Sequence, residues 1–350
     1  MLIRSSHRMS LIGAMLLILI AAMMLSAVVG AYQLSLNDIF HVISYQLGFT
    51  KDQPKPELLA VFWNIRLPRI LLGAMVGAAL AIAGAALQGL FRNPLVESGL
   101  IGVSSGGALM VVILIVFSNI ISLEIAPIFI QLLQPLVAFI GGLLLTIAAY
   151  KLSKVGSKAD ISLLILSGVA INALAGALIG LTLYFADDAA IRNFTFWSLG
   201  DLGGANWLKI GISAPLILGS IGYLLNTAKP LNLLSLGESE AFHMGLSVEK
   251  VKTGIILAVA MAVGVSVAFT GIIGFVGLVI PHIIRLLIGA DHKLVLPLSV
   301  LLGASFLVLA DLASRVVVSP SELPIGIITS LAGAPFFIWL LINFKKKSRV

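Results

Sequence analysis

Arg66 and Arg69 flank Pro68 at the head of a helix-length run, residues 70–90, that holds no charge and is built largely of small residues. A guanidinium is a planar fork of donors that pairs a carboxylate through two parallel bonds, so the chemistry on offer is recognition of acidic groups. Arg315 adds a third fork at the end of another apolar run. It follows Asp311 by four residues, a spacing that also allows an internal pair along one helical turn. The plainer reading of these arginines is a cation at a polar boundary, its stem lying on apolar surface. A fourth arginine, Arg192, sits in the segment 187–200 beside Phe194, Phe196 and Trp197. The rings supply a smooth apolar wall and Arg192 a cation beside it, unless Arg192 pairs with Asp188 four residues earlier.

Groups suited to covalent or metal chemistry are sparse. The chain has no cysteine, which removes disulfides, thiolate ligands and thiol nucleophiles. The 5 histidines, His7, His41, His243, His282 and His292, are scattered. No G-x-x-x-x-G-K-[ST] run is present to cradle a nucleotide's phosphates. An enzyme embedded in a membrane would need His, Asp and Glu clustered within its apolar segments, and none is evident. The expectation is no bound metal, no permanent cofactor and no catalytic residue.

The elements that must position these residues follow from composition. Of 350 residues, 59% are hydrophobic and 11% charged, against roughly 25% charged in soluble domains. So few charges cannot cover a water-exposed surface, so most of the exterior must face lipid. A membrane helix needs roughly 20 apolar residues. About ten such stretches occur, near 9–30, 64–90, 97–118, 129–150, 161–185, 207–227, 252–271, 275–289, 294–315 and 324–344. The reading is an all-α polytopic membrane protein with a single domain over 1–350. The short alternating strands of a membrane barrel are missing. The first apolar run has about membrane-spanning length, which favours an uncleaved span over a signal peptide.

The net charge of +7 describes topology rather than a nucleic-acid partner. With the N-terminus inside, about two thirds of the 22 Lys+Arg fall in inner loops. They include Arg4, Arg8, Arg92, Lys151, Lys154, Lys158, Lys250, Lys252 and the tail Lys345-Lys346-Lys347-Ser348-Arg349. Both termini are therefore expected in the cytoplasm, with Arg66, Arg69, Arg192 and Arg315 outside. Three longer loops stand out. An outer one, about 31–63, offers Asn37 or Asp38 as a helix cap. A second outer loop, about 186–206, holds the aromatic segment. An inner one, about 228–251, is long enough for two short helices.

Gly77, Ala81, Gly84 and Pro94 are matched at constant offset by Gly264, Ala268, Gly271 and Pro281. The first three form a small-residue stripe of the kind that lets helices approach closely in lipid. Because the two copies run in opposite directions, they suggest an inverted repeat; chance matching in a glycine-rich chain is the other reading. The short segment near Pro281 is of the kind tolerated where it lines a cavity.

Residues 66–107, RLPRILLGAMVGAALAIAGAALQGLFRNPLVESGLIGVSSGG, closely resemble the signature of permease subunits of bacterial ABC importers for iron-siderophores, haem and cobalamin, the FecCD type. The resemblance extends through Gly274–Arg285, Leu309-Ala310-Asp311, Glu322–Gly326 and Gly333–Phe337, and covers nearly the whole chain. It implies the inverted-repeat fold of a type II importer, in the bacterial cytoplasmic membrane. It also implies a homodimer with the pathway on its two-fold axis, two ATP-binding cassette ATPase subunits inside, and a substrate-binding protein outside. ATP would then be hydrolysed on the partner chain. In the family, arginines matched by Arg66, Arg69 and Arg315 dock acidic residues of the binding protein. The inner loop holds the coupling helices, matched here by Gly237, Glu238, Ala241, His243, Met244, Gly245 and Leu246. Its mixture of apolar and charged residues suits a groove-docked helix, or an amphipathic loop lying on the bilayer.

The segment Phe196-Trp197-Ser198-Leu199-Gly200, with Leu202-Gly203-Gly204-Ala205, looks more like haem permeases than siderophore or cobalamin ones. That implies an outer mouth in which Phe194, Phe196 and Trp197 face the flat macrocycle and Arg192 a propionate. Ordinary interfacial aromatics are the alternative. A ferric siderophore or cobalamin is the alternative substrate. An ion-gradient-driven secondary transporter is the alternative class, for which buried midplane acids would be the sign; Asp311 is the nearest candidate.

Overall fold

The structure, a computed structural model, describes residues 5–30, 32–118, 127–156 and 158–347. Arg4, Arg349 and the side chains of His7, Arg8, Lys345, Lys346 and Lys347 lie outside the described residues. The chain opens with α1 (Ser5–Val28) and α2 (Leu36–Gln46). Next, α3 (Pro56–Leu58) runs through a π-helical stretch, Leu59–Arg66, into α4 (Leu67–Leu90). A turn and a 3-10 piece, Ser98–Ile101, lead to α5 (Val103–Phe117), followed by α6 (Pro127–Leu152). A small antiparallel hairpin, β1 (Lys154–Val155) and β2 (Lys158–Ala159), joins α6 to α7 (Ile161–Tyr184). Then come α8 (Asp188–Ser198), α9 (Trp207–Asn226), α10 (Ala228–Leu234), α11 (Glu238–His243) and α12 (Val248–Thr270). The chain ends with α13 (Val276–Ile288), α14 (His292–Val316) and α15 (Ile325–Lys347).

Among the described residues, seven helices are long and apolar enough to cross a membrane, and three shorter apolar helices, Val103–Phe117, Val276–Ile288 and Ile325–Leu340, complete the set read from the sequence. Polar side chains mark where helices begin. Asp160 caps α7, Asp187 caps α8 and Asn206 caps α9, each accepting a backbone N–H near the helix start. The cap of α2 is Ser35 rather than Asn37 or Asp38. Asp38 takes the reciprocal half of a capping box, its carboxylate accepting the Ser35 N–H at 2.9 Å. That bond and the Ser35 hydroxyl hold the Asp38 carboxyl below its ordinary value.

The core is formed by α4, α12 and α14, which are buried along most of their length, while α1, α7 and α9 keep apolar faces outward. Contact between α4 and its neighbours is close enough to exclude a Cβ. One built on Gly77 would collide with the Gly303 carbonyl, and one on Gly84 with the Gly277 carbonyl. In hydrocarbon such backbone approach, rather than the hydrophobic effect, drives association. The residue-level repeat does not share these roles. Gly264 faces the Phe139 ring, Gly271 ends α12 at φ +70°, and Pro281 lies inside α13 whereas Pro94 lies in a turn. The inverted relation is carried by elements instead. Each half has a long buried helix, an irregular break and a short helix: α4, residues 91–102 and α5, then α12, residues 271–275 and α13.

Candidate functional site

Residues of α8 line a group of cavities where the sequence placed the mouth. A cavity of about 480 Å³ is lined by Phe196, Trp197, Gln134, Asn193, Asp201 and Glu322. A second, of about 430 Å³, shares Gln134 and Asn193. A third, of about 200 Å³, brings Trp197 and Asp201 next to Lys209. Of the four residues expected there, Phe196 (59% exposed) and Trp197 line the space. Phe194, 9% exposed, does not. It packs with Ala108 and Val112 and stacks on Trp197 with ring centres 6.3 Å apart. The helical period puts Phe194 and Trp197 three residues apart on the inward side and turns Phe196 outward. Arg192 is exposed, lines none of the three cavities, and makes no ion pair with Asp188 among the described residues. The cation that does reach the mouth is Lys209, which sequence reasoning missed. Gln134 and Asn193 were missed too, since single amides in apolar helices carry no spacing signal.

The rim arginines are placed beneath the surface. Arg66 and Arg69 are 5% and 6% exposed. Arg69 Nε donates to both oxygens of Asp311, at 2.8 and 3.1 Å, and Nη1 donates to Glu322 Oε2 at 2.8 Å. Arg315 Nε lies 3.2 Å from the other side of Asp311, so the internal pair expected from the spacing forms. Arg315 Nη2 donates to Ser26 Oγ at 2.6 Å. Arg66 donates to the carbonyls of Ala27, Val28 and Tyr32, closing the open C-terminal end of α1. Neither free forks nor snorkelling cations describe this geometry. The three guanidinia tie α1, α4 and α14 together, and Glu322, with its side chain 47% exposed, is the member of the cluster that solvent reaches. Asp311 is buried but paired on two sides, unlike a lone midplane carboxylate.

Between the two ends the broken helices meet. Phe275 precedes α13 with a left-handed φ of +68°, and its N–H donates to Glu97 Oε1 at 3.1 Å. Gln88 Nε2 donates to the free carbonyl of Gly277 at 3.2 Å, and Arg285 bonds Gln88 Oε1 and the Ala85 carbonyl. Backbone groups left open by a break inside the membrane must find such partners. Glu97 and Gln88, from the stretch after α4 and from α4 itself, thus satisfy backbone groups at the start of α13. His282 sits in α13 with its ring edge-on to Phe336, away from the mouth.

α10 and α11 form the two short helices expected of the long loop about 228–251. Gly237, at φ +128°, turns the chain into α11. Ala241 is buried and Leu246 packs against the core, so these two anchor the loop. His243, Met244 and Gly245 are presented to solvent together with Phe242, which the sequence reading did not single out. Glu238 accepts from Lys252 Nζ at 2.6 Å. Asn232 Nδ2 donates to Asp291 at 2.7 Å, and its carbonyl accepts the His292 N–H at 3.0 Å, which fixes α10 to the start of α14.

Comparison with known proteins gives one consistent answer. The model of the FecCD transport family matches residues 17–343. The hemin transport system permease protein HmuU of Yersinia pestis is 40% identical over 96% of this chain and 96% of its own length. The vitamin B12 import system permease protein BtuC of Vibrio cholerae is 40% identical over 80% of this chain and 82% of its own. A solved metal-chelate type ABC transporter in an inward-facing conformation superimposes with a TM-score of 0.80 at 33% identity, covering 95% of this chain and 99% of that one.

Proposed function

The chain belongs to the FecCD transport family, and from that premise we propose that it is the permease subunit of an ATP-driven importer whose substrate is haem. It is a multi-pass membrane transport subunit of the ABC importer type. The observation that carries the choice of haem is the match to a hemin permease along essentially the full length of both chains. The mouth adds chemical support. Phe196 and the Trp197 ring, braced by Phe194, offer an apolar wall to a flat macrocycle. Lys209 is the cation placed to meet a propionate, a role first given to Arg192. Cobalamin is the second reading, favoured by equal identity to a vitamin B12 permease over a shorter stretch.

In this reading two copies form the pathway, and a substrate-binding protein delivers haem to the outer mouth. It engages the rim where Glu322 is open: a carboxylate of the carrier exchanging with Glu322 gains the Arg69 fork, while Arg66 and Arg315 hold that fork in place. Two ATPase subunits dock on the exposed side of α11, with both termini on the same cytoplasmic side. ATP binding there biases two arrangements of the helices by contacts that differ between them. In this reading the chain needs no resident cofactor or metal. The test is uptake by the chain reconstituted with its ATPase and carrier, offered haem, cyanocobalamin and a ferric hydroxamate. Haem uptake that requires ATP is the expected result. ATP-dependent cyanocobalamin uptake without haem uptake selects the second reading, and gradient-driven uptake without the ATPase overturns both.

A further inference from the structure

Lys252, in the second turn of α12, is 3% exposed, yet its ammonium meets three acceptors from three segments of chain. It donates to the Ala159 carbonyl in β2 at 3.0 Å, to Glu238 Oε2 at the start of α11 at 2.6 Å, and to Glu249 Oε1 one turn back on α12 at 3.2 Å. Glu249 Oε2 in turn accepts the Ala159 N–H at 3.0 Å. The Lys252–Glu249 pair thus takes both backbone groups of Ala159, as a neighbouring strand would, and reaches α11 with the donor left over. A lysine ammonium has three donors, and here all three are used.

We propose that Lys252 is a positioning residue for coupling: it fastens the β1–β2 hairpin and the first turn of α11 to the foot of α12, so that a push on α11 moves all three together. The inference rests on reading α11 as the ATPase dock. The hairpin is the link between α6 and α7, so the ammonium connects the inner dock to four helices, α6, α7, α11 and α12, through one atom. Without it, two carboxylates and a carbonyl are left facing one another; like charges drive the start of α11 from the foot of α12, and the Ala159 carbonyl loses its donor. Glu238 is the narrower handle. Glu238→Gln weakens the link to α11 and leaves the Lys252 and Glu249 bonds to Ala159 in place.

The chain has no cysteine, so spin labels at Val155→Cys in the hairpin and Ser239→Cys in α11 report their separation in the full chain without background. With wild-type Lys252 a single narrow distance is expected, and with Lys252→Met or Glu238→Gln a broadened distribution. In the reconstituted importer the same two variants are expected to raise the ATP hydrolysed per haem imported about fivefold or more. A purely structural role would lower uptake and hydrolysis together and leave that ratio unchanged, and that result overturns the proposal. So does a distance distribution as narrow as the wild type in both variants. If Lys252→Met does not fold, Glu238→Gln carries both measurements. Absence of ATP-driven uptake by the wild type would remove the importer reading, and the label distances would still decide the clamp.

Discussion

Asp311 holds Arg69 on one side and Arg315 on the other in a setting closed to water. Removing one partner of a buried ionic network leaves a charge without compensation, at a cost of about 3–5 kcal/mol. Asp311→Asn is therefore expected to lower folded yield and melting temperature in detergent sharply. Glu322→Gln, at the solvent-reached arm, should cost about 1 kcal/mol or less and act on carrier affinity instead. Equal losses for the two would mean that the rim does not divide in this way. A similar contrast separates two aromatics in one segment. Phe194→Ala should destabilise by about 3–5 kcal/mol as a core truncation, whereas Phe196→Ala should leave melting nearly unchanged and weaken haem uptake. At this scale the sequence was partly legible. The spacing of Asp311 and Arg315 announced their pair, but nothing local announces that Arg69 closes on Asp311 from far along the chain. Arg69 and Arg315 do meet carboxylates, the protein's own, whereas Arg66 meets backbone carbonyls.

Among the elements, the spans were legible because length and apolarity alone define them in a bilayer. The breaks were legible as boundaries between spans, near Arg92-Asn93-Pro94 and ahead of the short Pro281 segment, but the side chains that satisfy them, such as Glu97 and Gln88, were not. The small-residue stripe on α4 was legible, and the backbones it packs on were not. It packs on Gly303 and Gly277 rather than on the sequence-matched copy. Gly84→Leu is expected to separate α4 from α13 and to abolish folded protein, measured as monodisperse yield, because the obstacle is a backbone carbonyl that cannot rotate aside. On the outer face, α2 provides a pH-dependent element. The Asp38 carboxyl is lowered from its ordinary value by the Ser35 bonds. Its contribution is fully present above the ordinary aspartate range and is lost as pH falls through the lowered value. Amide exchange in the first turn of α2 should thus quicken in acid, relative to the pH trend of α4, and Asp38→Asn should remove that acid step. A step that persists in the variant would assign it to another group.

For the whole molecule, the cationic excess in the loops read as inner gives an expected orientation, but composition could not say which outward face would meet a second copy in the proposed dimer. For the proposed dimer, α7 is one candidate face. Ala173, Gly176, Ala177 and Gly180 form an exposed small-residue face there, and a Cβ added at Gly176 or Gly180 meets open space. Small residues on helices favour close approach of another helix in lipid. α7 also leads directly into α8, which lines the mouth, so a second copy packed on this face would bring two mouths to one axis. Both helices also expose large apolar residues, Leu17 and Leu16 on α1 and Leu174 and Leu181 on α7, so the run of small residues is what distinguishes α7 from α1. A single cysteine at Gly176 is expected to cross-link between copies in membranes with a short bifunctional thiol reagent. A cysteine at Leu17 should not. Haem-loaded carrier and ATP together should change the Gly176 cross-linking yield, because alternating access in a two-fold assembly must alter the distance between facing helices at the axis. Cross-linking at Leu17 but not at Gly176 would move the second copy to α1 and leave α7 to lipid.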